Sequence, residues 1–226
     1  MKLEKKVIAS EDANEIIEQT RSILSQLKNG DGVEVSTTVD PTPALQDLLD
    51  NNWGEFDWHP LERGANSYRF ALIKLDTPSP NMTIREFMSR GHVWCDDLYA
   101  EMEAVALEGD VETTKQLFSS FELAMLQHFD MEENVLFAEL ENRGVLPTGM
   151  GPLAVMRMEH DQMKGVIHQM SQAATNSDTN GITSLGETLI ILIQQHNVKE
   201  EDIVYAMATQ SLATEQGIVL KKMMIQ

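Results

Sequence analysis

Proline placement constrains this chain more than any other feature. Its seven prolines are Pro41, Pro43, Pro60, Pro78, Pro80, Pro147 and Pro152; none lies between 81 and 146, and none after 152. A proline inside a helix removes a hydrogen bond and clashes with the preceding turn, at a cost of about 3 kcal/mol. Two long proline-free runs are therefore open to helix. Gly109-Asp110, Gly144 through Gly151 and Asn176-Ser177-Asp178 break them into segments at about 82–108, 111–143, 152–174 and 181–209. A weaker fifth segment runs from Ala213 to Met224. Four helices with short connections predict an antiparallel, up-down-up-down four-helix bundle.

The prolines also set a boundary. Thr77-Pro78-Ser79-Pro80-Asn81 reads as a short, stiff linker. Before it the pattern is mixed. Lys6 to Ala9 is a short apolar run, and Glu11 to Leu27 has helical spacing with Ile16, Ile17, Ile23, Leu24 and Leu27 apolar. Val33 to Thr37 alternates like a strand, Pro43 to Leu49 reads as a short helix, and Phe56–Pro60 and Tyr68–Ile73 as strands. The expected organisation is an α+β two-domain chain. Residues 1–76 form a small two-layer βαβαββ domain, 77–81 the linker and 82–226 the bundle.

Charge narrows the partners. Lysine plus arginine is 17 against 36 aspartate plus glutamate, a formal net charge of −19. Such a chain is repelled by nucleic-acid backbones and anionic membrane surfaces and attracts cations, metal ions included. No nucleic acid and no membrane are expected as partners. The longest apolar stretch, around Leu189 to Ile193, is too short to span a bilayer. Met1 to Lys6 carries no apolar run behind it, so no signal peptide and a cytoplasmic location are expected. The single cysteine, Cys95, excludes an internal disulfide and a four-cysteine metal site.

Five of the six histidines fall in the helical half. His92, His128, His160 and His196 occur one per helix, separated by 36, 32 and 36 residues. In an up-down-up-down bundle such spacing returns the chain to one height, so the four can converge on one layer of the core. Two of them carry a glutamate four residues on, His128 with Glu132 and His196 with Glu200. Four residues turn a helix by about 400°, so imidazole and carboxylate share a face. Four imidazoles and two carboxylates make a shell for two metal ions if the carboxylates bridge. Mixed nitrogen and oxygen ligands favour iron, manganese or zinc over calcium or magnesium. On a solvated helix the same pairs would be surface partners. Their apolar flanks, Leu123-Ala124-Met125 and Leu189 to Ile193, make these stretches core-facing, and a buried His beside a buried Glu needs a partner.

These residues resemble a known family. His128-Phe129-Asp130-Met131-Glu132-Glu133 resembles the HFxxEE signature of hemerythrin-like domains. Glu159 to Met163 and His196 to Asp202 resemble the third- and fourth-helix motifs, and His92-Val93-Trp94-Cys95-Asp96 the first. The resemblance covers about residues 82–226. It implies a four-helix bundle with two non-heme iron ions, joined by an oxo or hydroxo bridge, that binds dioxygen or nitric oxide. The ligand set it implies is His92, His128, Glu132, His160, His196 and Glu200, with Glu200 favoured over Glu201 because it shares the His196 face. Lys164 stands four after His160, where oxygen carriers place a further imidazole. The set of four His and two Glu is more similar to repair-of-iron-centres proteins, which act under oxidative and nitrosative stress. Those proteins usually carry cysteine in an N-terminal region, and this chain has none before Cys95.

Around this set, Asp96 and Asp130 are candidates either to orient ligating imidazoles or to be plain surface charges, and His168 is expected to be a surface or packed residue. Trp94, Phe129, Met131 and Met163 are candidates for pocket lining or plain core. The N-terminal unit, through Asp40 to Leu45 and its closing strands, resembles a small domain that accompanies hemerythrin-like domains and is related in fold to sulfur carriers. Those carriers have a Cys-Pro pair where this chain reads Ser10-Glu11-Asp12-Ala13, so no persulfide chemistry is implied. A protein partner docked through that domain is an expectation only. Three functions follow: a di-iron protein that binds or senses dioxygen or nitric oxide, with a role in iron-centre repair; a di-iron enzyme reducing peroxide or nitric oxide; and a metal-free helical interaction module.

Overall fold

The structure, a computed structural model, describes residues 3–147 and 149–225. It divides into two compact units, the first reaching to Met82 and the second spanning Thr83–Met224.

The first unit contains β1 (Glu4–Ile8), α1 (Ala13–Gln26), β2 (Gly32–Thr37), α2 (Thr42–Asn51), β3 (Phe56–Arg63) and β4 (Tyr68–Lys74). The sheet order is β1-β2-β4-β3, with β1 parallel to β2 and the other pairs antiparallel. The parallel pair requires a crossover, and α1 supplies it. Val33, Val35 and Thr37 are buried while the residues between them are not, the period of two that marks a strand with one covered face. Ile16, Thr20 and Leu24 of α1 and Ala44, Leu45, Leu48 and Leu49 of α2 form the buried faces of the helical layer. The sequence ends β3 at Pro60, but the strand continues to Arg63 through a register shift between Pro60 and Glu62. Pro60 itself stays opposite Phe70, tolerated because β3 is an edge strand, and the register skips Leu61 at the bulge.

The second unit opens with α3 (Ile84–Glu108), begun by a capping box in which Thr83 and Glu86 satisfy each other's backbone N–H. Gly109, at φ 83°, closes it in the left-handed conformation that glycine adopts without strain. Asp110 then caps α4 (Val111–Asp130). The chain continues through a π-helical segment, Met131–Leu136, into α5 (Phe137–Asn142). Next come α6 (Pro152–Thr175) and α7 (Thr179–Lys199), the latter capped by Asp178. A second π-helical segment, Glu200–Val204, leads into α8 (Tyr205–Ser211), and α9 (Gln216–Met224) ends the unit. The four long helices expected from the sequence are present, two of them with a π segment the sequence did not announce. α9 buries Val219, Leu220, Met223 and Met224, and the Gln216 side chain accepts from the Ile84 N–H at the start of α3. Among the described residues no helix is long and apolar enough to cross a membrane.

Candidate metal centre

The bundle brings together the six residues its sequence singles out. His92 comes from α3, His128 from the last turn of α4, and Glu132 from the π segment that follows. His160 comes from α6, His196 from the last turn of α7, and Glu200 opens the second π segment. All six are buried, and Glu132, His160 and Glu200 have no exposure at all.

They form two groups that share the carboxylates. His92, His128, Glu132 and Glu200 offer donor atoms within 4.8 Å of one another, and so do Glu132, His160, His196 and Glu200. Glu132 turns Oε1 to His128 Nε2 at 3.6 Å and Oε2 to His160 Nε2 at 3.3 Å. Glu200 turns Oε2 to His92 Nε2 at 3.5 Å and Oε1 to His196 Nε2 at 3.0 Å. Each carboxylate thus presents one oxygen to each imidazole pair.

The remaining imidazole nitrogens fix which atoms face inward. His160 Nδ1 lies 2.8 Å from Glu133 Oε1, His196 Nδ1 2.9 Å from Glu159 Oε2, and His92 Nδ1 3.0 Å from Glu201 Oε1. An ionised carboxylate only accepts, so these three rings donate through Nδ1–H and keep a lone pair on Nε2. His160 Nε2 and His196 Nε2 are 2.9 Å apart. Two lone pairs at that distance need a cation between them, whether a proton or a metal. Glu132 Oε2 and Glu200 Oε1 are buried without a hydrogen-bond partner, near imidazole nitrogens but not aligned with them. An unpartnered buried carboxylate oxygen is costly. Two of them aimed at one nitrogen-rich centre fit a divalent or trivalent cation, so the donor set suits the metal that the sequence motifs imply.

Electrostatics carry the same mark. Burial, and then the charge of Glu200, raise the Glu132 carboxyl above its ordinary range. Burial alone would raise Glu200 too, but His160, His196 and His92 outweigh it and hold that carboxyl well below. His160 is raised to about 11, because Glu132, Glu133 and Glu200 overcome its desolvation. His128 is pushed well down by burial and by the neighbouring His92. Groups driven apart in this way mark functional sites.

An outer ring holds the inner one. Lys164 Nζ pairs with Glu133 Oε1 at 2.8 Å, and Lys199 pairs with Glu159, giving two His–Glu–Lys chains that fix ring orientation. Lys164 therefore supports a carboxylate. The acids that hold imidazoles are Glu133, Glu159 and Glu201, and not the candidates Asp96 and Asp130. Glu133 and Glu201 each directly follow an inner glutamate in sequence, and that doubled acid was the signal. Phe129 and Phe137 stack on the His160 ring, at centroid distances of 4.4 and 5.9 Å. Gly91 matters by its absent side chain: a Cβ there would lie 2.9 Å from His128 Nδ1. Trp94 and Met163 are buried core. Cys95 is buried and its thiol pushed far up by desolvation, the condition of an inert cysteine. His168 pairs with Gln172 at an exposed site away from the cluster.

Sequence reasoning missed one inner residue, Tyr205. Its hydroxyl lies 3.2 Å from His92 Nε2, 3.4 Å from His128 Nε2 and 3.0 Å from Glu200 Oε2, and donates to Glu132 Oε1. Tyr205 stands nine residues after His196. In a plain α-helix that offset is about 900°, which is the opposite face. The π segment removes the discrepancy: the Tyr205 N–H bonds to the Glu200 carbonyl, five residues back, as the Phe137 N–H does to Glu132. A signal was present. His128 to Phe137 and His196 to Tyr205 both read His, Glu at four, Glu at five and an aromatic ring at nine.

A family model for the hemerythrin HHE cation-binding domain matches residues 83–208. No curated protein and no solved structure matches the chain. The matched residues are more than half of the chain, and the chain belongs to the hemerythrin HHE cation-binding domain family.

Proposed function

We propose that this cation-binding bundle holds two iron ions, one at His92 and His128 and the other at His160 and His196, bridged by Glu132 and Glu200. The observation that carries the proposal is that each glutamate turns one oxygen to each imidazole pair. Nitrogen and oxygen donors in this ratio suit iron, and six side chains leave positions open on two six-coordinate ions. Bound there, iron supplies one-electron chemistry and affinity for small diatomic ligands. The protein contributes a buried set of donors. Glu133, Glu159 and Glu201 keep the imidazoles in one tautomer, and Lys164 and Lys199 hold two of those acids in place.

The ligand we assign is dioxygen or nitric oxide, and the setting is oxidative or nitrosative stress in the cytoplasm, with protection or repair of iron centres as the role. Lys164 supports this over reversible oxygen carriage, because it occupies the place of a further imidazole and points its charge to Glu133. The test is anaerobic reduction of the iron-loaded protein, followed by rapid mixing with each gas in a stopped-flow spectrometer. The expected outcome is that nitric oxide binds and that oxygen oxidises the centre irreversibly. Oxygen that is taken up and released again under vacuum would overturn the assignment.

A further inference from the structure

The two halves of the site are not equivalent. Tyr205 Oη lies among the four donors of one half: His92 Nε2 at 3.2 Å, His128 Nε2 at 3.4 Å, Glu200 Oε2 at 3.0 Å, and Glu132 Oε1, to which it donates. At the matching place nine residues after His128 stands Phe137, which turns a ring face to His160 and offers no donor. Tyr205 is fully buried, one O–H set among four acceptors. A hydroxyl has a single hydrogen and satisfies one of them. The surplus of electron-rich atoms around that oxygen is the surrounding of a cation site, with the phenol oxygen as one more of its donors.

We propose that Tyr205 is a seventh protein ligand, binding through its phenol oxygen the ion held by His92 and His128. This inference rests on the two-iron reading above. Ligation exchanges the O–H bond for an O–metal bond and releases one proton to solvent, with no change of oxidation state. A hard anionic oxygen suits ferric iron. The consequence is asymmetry: five protein donors on one ion and four on the other, so that small ligands bind at the ion of His160 and His196. The register that allows this is the π turn from Glu200 to Tyr205.

The chain has three tyrosines, Tyr68, Tyr99 and Tyr205, so the assignment can be isolated. Full-length protein is loaded anaerobically with ferrous iron, oxidised, assayed for iron, and examined by visible absorption and resonance Raman spectroscopy. The expected result is a visible phenolate-to-iron band with enhanced tyrosine ring modes, which persists in the double variant Tyr68→Phe, Tyr99→Phe. In Tyr205→Phe both signals vanish while about two irons remain. The double variant leaves Tyr205 untouched, so it decides the matter even if Tyr205→Phe does not fold. Two irons without tyrosine modes in the wild type would overturn the ligand assignment and leave the two-iron reading standing. Modes lost in the double variant would overturn it likewise. A folded protein that takes up no iron would overturn both.

Discussion

Glu132 and Glu200 each serve both halves of the site, so removing either withdraws one donor from each ion at once. Glu132→Ala is expected to keep its helical circular dichroism and lose most of its iron; full iron retention would show that Glu132 is only a partner of Tyr205. Glu133 acts one step further out. Burial alone would raise its carboxyl, but His160 and Lys164 bring it down to about 2. Its folded value lies below the unfolded one, so its contribution is present above the ordinary glutamate range and is lost as pH falls towards 2. In Lys164→Met one of the two donors is gone and Glu133 protonates sooner. Iron release on acidification should then begin at a higher pH than in the wild type, with a loss of affinity of about 10-fold. An unchanged acid-release curve, followed by a chromogenic chelator, would mean that Lys164 does not act through Glu133. Gly91→Ala separates propensity from function. Alanine gains about 1 kcal/mol in a helix, yet its Cβ would meet His128 Nδ1 at 2.9 Å. Iron content should fall although the exchange favours helix, and a variant with full iron and raised Tm would refute that role for Gly91.

The helices show how much of this was readable and where reading stopped. Proline-free runs and glycine or asparagine breaks marked all the long helices, because the cost of proline in a helix is large and local. The four histidines and two glutamates were legible because a bundle with near-equal repeats returns to one height. Tyr205 was not, because α periodicity projects it about 180° from His196, and only the extra residue of the π segment restores it. Nothing local in Glu-Glu-Asp-Ile-Val marks that segment, and the torsions at its flanks, Lys199 and Tyr205, are those of an α-helix. The bulge at Leu61 escaped for a related reason: proline reads as a strand end, yet an edge strand passes through it. The π segment is testable by shortening it. Deleting the exposed Asp202 lets this stretch close as plain α-helix with Tyr205 eight residues after His196, about 800°, the face that the π turn already gives it. The expected result is retained iron and an unchanged Tm, because the buried ring stays in place and the turn closes with ordinary α hydrogen bonds. A deletion variant that loses its iron or much of its stability would show that the π turn places Tyr205 in a way a plain α turn cannot.

At the scale of the whole chain, the two units, one reaching to Met82 and one spanning Thr83–Met224, carry different kinds of residue. Every member of the His and Glu cluster lies in the second, and so does the family match at 83–208. We therefore propose that the first 76 residues fold on their own and take no part in holding metal. A chain of residues 79–226 should keep the iron content and visible spectrum of the full protein, and loss of both would show that the bundle depends on the N-terminal unit. The acidic balance, a formal charge of −19, fits a protein that attracts metal ions. The central claim is that Glu132 and Glu200 join two irons into one centre. Mössbauer spectroscopy of the full-length protein, loaded with iron-57 and oxidised, tests it most directly. The account predicts about two irons per chain in a coupled pair with a diamagnetic ground state at low temperature. A single ferric ion per chain with a magnetically split, paramagnetic spectrum would contradict it.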